Sequence, residues 1–328
     1  MSKKTNNTQN KTNVQSILDQ VKVRNFWGTR KLFFVLSSVL LVLVLLCCFI
    51  RGVNVSIEFK GGTLATYSYS GTVSEAEVAT VARDYLNTTV NAQLGETFTG
   101  EKQTTFTLSF NMENPFSAEM QDELCKKLQE KYPDANIQSL ETNDVAAKSG
   151  KNFLAKCSVA AVFASVILIL YISWRFKRIS GWSAGIFAVV ALLHDLCIVF
   201  GTFVICGFEI DSNFMAVLLT ILGYSVNDTI VIYDRIRENQ AMLPEGTKLT
   251  DLVNISLSQT IRRTVRTSIT TIAAMLIISV LATVNNVDSI LRLSIPMTVG
   301  MISGCYSSLC LAPMLWTAWK SRGKKAAD

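Results

Sequence analysis

Residues Gly223–Asn239 read GYSVNDTIVIYDRIREN, and residues 212–222 before them read SNFMAVLLTIL. The apolar run from about Asn213 to Tyr233 is long enough to cross a bilayer as a helix. Asp228 then falls inside a membrane span, and Asp234, Arg235, Arg237 and Glu238 stand at its mouth. A carboxylate in hydrocarbon costs at least ~2.5 kcal/mol, so an acid in that position is a functional candidate by default.

The rest of the composition agrees with a membrane setting. The chain has 328 residues, 49% hydrophobic and 17% charged, against roughly a quarter charged in soluble proteins. The apolar residues fall in long runs, which predicts a polytopic α-helical membrane protein. The net charge of +6 does not point to nucleic acid, because the basic residues flank apolar runs rather than interleave with stacking aromatics. Seven of the eight cysteines lie in or beside apolar spans, and no CxxC pair or metal-ligand spacing occurs. With His194 the sole histidine, neither a metal nor any other cofactor is expected. No GxxxxGK[ST], GxSxG or HExxH is present, so energy is expected from an ion gradient or a partner, not from enzymatic chemistry.

In chain order, residues 1–31 form a basic segment with an Asn/Thr/Lys-rich, disorder-prone start, and 32–50 the first span. That run is too long for a signal peptide and is followed by no small-residue cleavage pattern. Residues 51–151 carry fourteen acids and nine bases and read as a folded insert. Val53–Tyr69 alternates as one long strand, bent at FKGGT, where Gly61, Gly62 and Thr63 stand. Ser74–Asn87 is a helix opened by a capping box of Ser74 with Glu77. Strands follow at Thr89–Leu94 and Thr104–Phe110, joined by a Gly-containing turn, then a helix at Ser117–Tyr132 and a short strand at Asn136–Leu140. The order β-α-β-β-α-β predicts a ferredoxin-like α+β domain.

Residues 152–319 hold five further spans, at about 153–174, 182–206, 213–233, 267–284 and 293–319, and 320–328 are a tail. Asp234 to about Arg266 reads as a longer polar loop. The N-terminus, the 175–180 loop, the 234–266 loop and the tail are rich in Lys and Arg, and the turns between them are acidic or weakly charged. Six spans with both termini in the cytoplasm, and the 51–151 domain outside, satisfy every segment.

On this orientation Asp228 lies about 9 Å before the inner end of its span, at ~1.5 Å per residue. Arg262, Arg263 and Arg266 enter the fifth span at a similar depth. A buried carboxylate needs a partner or a proton. Arg263 or Arg266 can supply the partner, and protonation of the acid would release it. A proton relay and a permanent packing ion pair both fit. Asp195, in ALLHDL of the third span, is equally costly, with a functional or a hydrogen-bonded packing role. His194 points about 100° away around the helix, so it should not share a face with Asp195 and reads as a satisfied interhelical histidine. Asn227 and Thr229 are expected to bond across helices, and Gly223, Gly300 and Gly304 to let helices approach closely. Asp234, Arg235, Arg237 and Glu238 read either as an interfacial anchor or as a docking face for a cytoplasmic partner.

GYSVNDTIVIYDRIREN, with FKGGT after the first span, ALLHD, SQTIRRTVRTSITT and GMISGCYSSLCLAP in order, resembles the SecF family of the bacterial Sec export machinery. The resemblance covers about residues 20–320. Cys305 stands where that family often has Thr, and Arg266 where a neutral residue is common. The resemblance implies a cytoplasmic-membrane subunit that pairs with SecD in an assembly of the resistance-nodulation-division type. It also implies association with the SecYEG channel, action after SecA, and unfolded preprotein as substrate, with proton or sodium flow driving late export. It makes Asp228 the ion-pathway acid and Arg263 its partner. Two other classes are expected to compete with this one. One is a half-transporter of the same superfamily exporting a small molecule or lipid, against which the single external domain of about 100 residues speaks. The other is a structural scaffold.

Overall fold

The computed structural model of the protein describes residues 23–97, 103–112, 116–145, 147–244, 246–285 and 287–325. Helix α1 spans Arg30–Arg51 and is followed by a short helix α2, Ile57–Lys60. The inserted domain then runs β1 Gly62–Tyr69, α3 Glu75–Leu86, β2 Val90–Thr97, β3 Gln103–Phe110, α4 Ala118–Lys131 and β4 Gln138–Val145. Helices α5 Ala147–Arg175, α6 Gly181–Cys206, α7 Ser212–Met242, α8 Leu249–Val284 and α9 Asp288–Tyr306 follow. A π-helical turn, Ser307–Leu311, joins α9 to α10, Ala312–Lys325. Counting α9 through α10 as one, six helices are long and apolar enough to cross a membrane.

The sheet is antiparallel throughout, in the order β2-β3-β1-β4. Alternation sets its faces. Ala65, Tyr67, Val90, Ala92, Phe106, Leu108 and Phe110 point to one side and bury Val78, Ala82 and Leu86 of α3 and Leu124 and Leu128 of α4. Helix α4 is capped by Ser117 Oγ, which accepts from the Met120 amide at 3.3 Å. Helix α3 starts after Ser74 without a side-chain cap, so the expected capping box does not form. The fourth strand runs to Val145, five residues beyond the expected end. The turn expected between β2 and β3 falls at 98–102, outside the described residues.

The expected long strand from Val53 is replaced by three pieces. Val55 makes an isolated bridge to Ile210, Ile57–Lys60 turn once as a helix, and only Gly62 opens β1. The cause lies in Phe59. Its side chain leaves the sheet and packs at 2% exposure against Val199, Phe203, Ile210, Phe214, Val217, Ile221 and Met301 of the helical bundle. The chain must then reverse into β1, which it does through Gly61 at φ 84° and Gly62 at φ 147°. A Cβ at Gly62 would stand 2.6 Å from the Phe110 carbonyl oxygen.

Two further expectations change. Residues 234–266 are not a long loop: α7 continues to Met242 and α8 begins at Leu249. Hydropathy falls there, yet Ile236, Leu252, Val253 and Leu257 keep helical spacing and bury one stripe with Tyr233, Met314 and Trp316. The basic N-terminal segment is also tied down from residue 23 onward. The Arg24 amide donates to Ser258 Oγ at 2.9 Å and the Trp27 amide to Asn254 Oδ1 at 3.0 Å, with Phe26 buried. The start of that segment, residues 1–22, lies outside the described residues, as do 326–328 of the tail.

Phe59→Ala is expected to remove about 3–5 kcal/mol of packing between domain and bundle. Limited proteolysis of the solubilised chain should then cut within 52–61 faster than in the wild type. Phe59→Leu should restore most of the protection. Equal cleavage of all three proteins would show that Phe59 does not hold the domain.

Candidate functional site

Asp195 is fully buried at the centre of the bundle. Helix α6 carries it because Ala184, Ala188, Ala191 and Leu192 bury the same helix around it. Three hydroxyls from three other elements converge on its carboxylate. Ser225 Oγ of α7 donates to Oδ2 at 2.7 Å, Ser303 Oγ of α9 to Oδ1 at 2.7 Å, and Ser307 Oγ of the π turn to Oδ2 at 2.6 Å. Bonds of this length lie at the short side of the usual O–H···O range. The His194 ring, expected to face elsewhere, brings Nδ1 to 3.3 Å from Asp195 Oδ1. Its Nε2 is buried without a partner, so His194 is satisfied on one nitrogen only. The His194 ring also lies 6.2 Å from that of Tyr306 of α9.

Close helix approach makes this convergence possible. A Cβ at Gly300 would stand 2.7 Å from Ile221 Cγ1 and from Val199 Cγ2, and one at Gly304 would stand 3.3 Å from Ser225 Cβ. Both glycines therefore stand where helices pass closely. Gly223 does not, since nothing lies within 4 Å of the same position there. Gly201, which the sequence reading passed over, is the residue that admits α1, through Val44. Thr229 bonds across helices to Ser308 Oγ at 3.0 Å, and Ser308 in turn donates to the Ser225 carbonyl at 3.1 Å. Asn227 is exposed on the outer face of α7 instead. The signal for Ser303, Ser307 and Ser308 was present as hydroxyls at helical spacing in an apolar run. Nothing in the sequence says which acid they meet.

Asp228 sits one helical turn from Ser225, at 4% exposure, in a different environment. Tyr224, Ser268 and Cys305 gather beside it from α7, α8 and α9. Among the described residues, Asp228 Oδ2 and the hydroxyls of Tyr224, Thr264 and Ser268 are all buried without a hydrogen-bond partner. Arg263 is the cation whose charge acts on Asp228. It does not close on it: the ion pairs among the described residues involve Asp195, Asp234 and Glu238, and Arg263 is exposed on α8 with Arg262 and Arg266. A buried polar atom left unpaired costs about 1–3 kcal/mol. The two acids are thus opposites, Asp195 saturated with donors and Asp228 short of them.

The residues after Asp228 build a second polar layer. Asp234 accepts from Arg175 of α5 at 3.2 Å and from Arg237 at 2.6 Å. Arg235 pairs with Glu238 at 2.5 Å and donates to Gln259 of α8 at 2.7 Å. Asn239, buried, donates to Ser256 and Gln259, both at 2.8 Å. Arg235 and Asn239 therefore lock α7 to α8. Of the external motif, Gly61 and Gly62 shape the reversal after Phe59, and Thr63 is buried at the start of β1, opposite Phe110 and Asp144. The domain meets the bundle again where the Ser56 amide donates to the Ile210 carbonyl at 3.0 Å, the Ile210 amide to the Asn54 carbonyl at 2.8 Å, and Asn91 Nδ2 to Glu209 at 2.9 Å. No group of His, Cys, Asp and Glu suited to a metal ion occurs among the described residues.

Residues 124–322 match the family described as Protein export membrane protein SecD/SecF, C-terminal. The chain is 32% identical over 300 residues to the protein translocase subunit SecF of Alicyclobacillus acidocaldarius, covering 90% of this chain and 92% of the relative. It is 31% identical over 307 residues to the protein translocase subunit SecDF of Bacillus subtilis, covering 92% of this chain and 39% of that one. The crystal structure of SecDF from Thermus thermophilus, a translocon-associated membrane protein, is similar with a TM-score of 0.72 at 30% identity, over 91% of this chain and 39% of that one. This chain therefore spans about two fifths of the SecDF proteins it matches.

Removing any one donor to Asp195, by Ser225→Ala, Ser303→Ala or Ser307→Ala, is expected to cost about 1.5–3 kcal/mol. Asn227→Ala should stay within about 0.5 kcal/mol of the wild type. Thermal unfolding of the solubilised chain measures both. A serine variant as stable as Asn227→Ala would dismiss the cage.

Proposed function

Since the chain belongs to the SecF family of protein translocase subunits, we propose that it acts in protein export as an ion-driven partner of SecD. The observation that carries this reading is the contrast between the two acids. Asp195, with its donors, fits a fixed charge that holds helices together. Asp228, with an orphan oxygen among orphan hydroxyls and an unengaged arginine nearby, fits a group that trades partners. In one state it holds a proton or sodium ion and Arg263 is released; in the other Arg263 approaches.

The face of α7 and α8 around this pair favours SecD as the neighbour. Gly223 meets nothing within 4 Å and Asn227 is exposed, while on α8 Ile269, Ile277 and Val280 are 60%, 61% and 60% exposed. In SecDF of Bacillus subtilis the region matching this chain is joined to a further portion within one polypeptide. A second six-span half on this face would enclose Asp228 and Arg263 together. In the proposed orientation both termini lie in the cytoplasm, and the 51–151 domain, ferredoxin-like in its β-α-β-β-α-β order with strands β2-β3-β1-β4, lies outside. There it would handle preprotein leaving the SecYEG channel. Its seats at Phe59 and at the Asn54–Ile210 bridge, on α6 and α7, give helix movement a route to the domain.

Asp228→Asn keeps size and polarity but removes titration. In cells relying on this subunit, it should abolish the gradient-dependent part of reporter preprotein export while leaving the chain folded and in the membrane. Export by Asp228→Asn that still responds to a protonophore or sodium ionophore as the wild type does would refute the coupling.

A further inference from the structure

At the end of the bundle away from the sheet domain, two cavities of about 520 and 530 Å³ adjoin along the α5–α6 hairpin and share Trp174 and Lys177. The first continues over Leu170 and Trp182; the second opens between Arg175, Arg237 and Ala241. Trp174 and Trp182 are 68% and 64% exposed, which suits rings lying at a membrane interface and suits water poorly. Gly181 and Gly185 let α6 lie directly on the α5 backbone at Ser173 and Ile169, so the hairpin is a closed floor, not a gap between separable helices.

The charges at the mouth are unbalanced. Lys177 is exposed, and while its carbonyl accepts from the Ser180 amide, its ammonium makes no hydrogen bond or ion pair among the described residues. Arg175 and Arg237 converge on one acceptor, Asp234, and both guanidinium carbons lie over the Phe176 ring, at 5.5 and 5.8 Å. Glu238, the other acid at this rim, is taken by Arg235 at 2.5 Å. Two cations thus share one carboxylate, and Lys177 beside them has none among the described residues. A guanidinium has five N–H donors, so each arginine at this lining keeps donors beyond the one that meets Asp234.

We propose that this end of the bundle is a binding site for one anionic phospholipid. Its phosphate sits on Lys177, Arg175 and Arg237, and its proximal acyl chain lies along Leu170, Trp174 and Trp182. A soluble anion would meet only the rim. A lipid meets the rim and, one helical turn deeper at Leu170, the apolar groove, so the two halves of the site match the two halves of an amphiphile. The proposal rests on the helices crossing a membrane and on no part of ion coupling. Asp234 then serves to hold two arginines at one headgroup, which accounts for part of the charged stretch following Asp228.

The test titrates the detergent-solubilised full chain with phosphatidylglycerol or phosphatidylcholine of identical acyl chains and counts retained lipid by native mass spectrometry. The wild type should retain one phosphatidylglycerol in clear preference to phosphatidylcholine. Lys177→Gln, whose side chain holds nothing in the fold, should lower that preference about fivefold, and adding Arg237→Gln about fivefold again. Lys156→Gln, at the opposite end of α5, should leave it unchanged. The site is overturned by equal retention of the two lipids, by an unchanged preference in Lys177→Gln, or by an equal loss in Lys156→Gln.

Discussion

A charge cannot sit alone in an apolar bundle, and Asp195 shows what that constraint builds. Its two oxygens demand donors, and the donors come from α7, α9 and the π turn. For those hydroxyls to arrive, α9 must lie almost on α6 and α7, which is why Gly300 stands where a Cβ would collide and Gly304 where one would crowd Ser225. The carboxylate does not gain much net energy over a well-packed apolar residue. What it does is select one arrangement, because sliding any of the three elements by a turn would strand the charge. Asp228, Thr229 and Ser308 inherit their positions from that arrangement.

The inserted domain is attached by a different logic. It hangs from α1 and α5 by its ends, and Ile57–Lys60 lies along α5 while Phe59 joins a cluster with residues of α6 and α7. Phe59 enters an aromatic pocket of Phe203 and Phe214, and the linker at Asn54–Ser56 pairs with the α6–α7 turn at Ile210. Two of the helices that meet the domain, α6 and α7, also carry Asp195 and Asp228.

Much of this was legible in the sequence, and the parts that were not share a cause. The apolar runs, Asp228 and the alternating strands are local signals, each visible within twenty residues. The helical continuation through Asp234–Arg266 was hidden because low hydropathy reports distance from lipid, not loss of helix; Leu252, Val253 and Leu257 bury their stripe against protein instead. Phe59 read as one more strand residue because alternation does not say which body a side chain enters. Gly223 and Gly201 exchanged roles for the same reason, since a glycine's use depends on what crosses it. The cage around Asp195 depends on three crossings at once, and no window of sequence contains them.

The π turn at Ser307–Leu311 carries a consequence for phase. One surplus residue offsets everything after it by about 100° around the axis. In α10 that offset aims Trp316 inward, where it is fully buried, meets the Tyr233 ring at 6.0 Å and donates to Ser183 at 3.1 Å. Before it, Ser307 serves the carboxylate. An unbroken α-helix could satisfy the serine or the tryptophan, but not both, so the wide turn works as an angular spacer between two fixed appointments. The helix is keyed at both ends like a shaft with a built-in twist, and its length counts less than its angle.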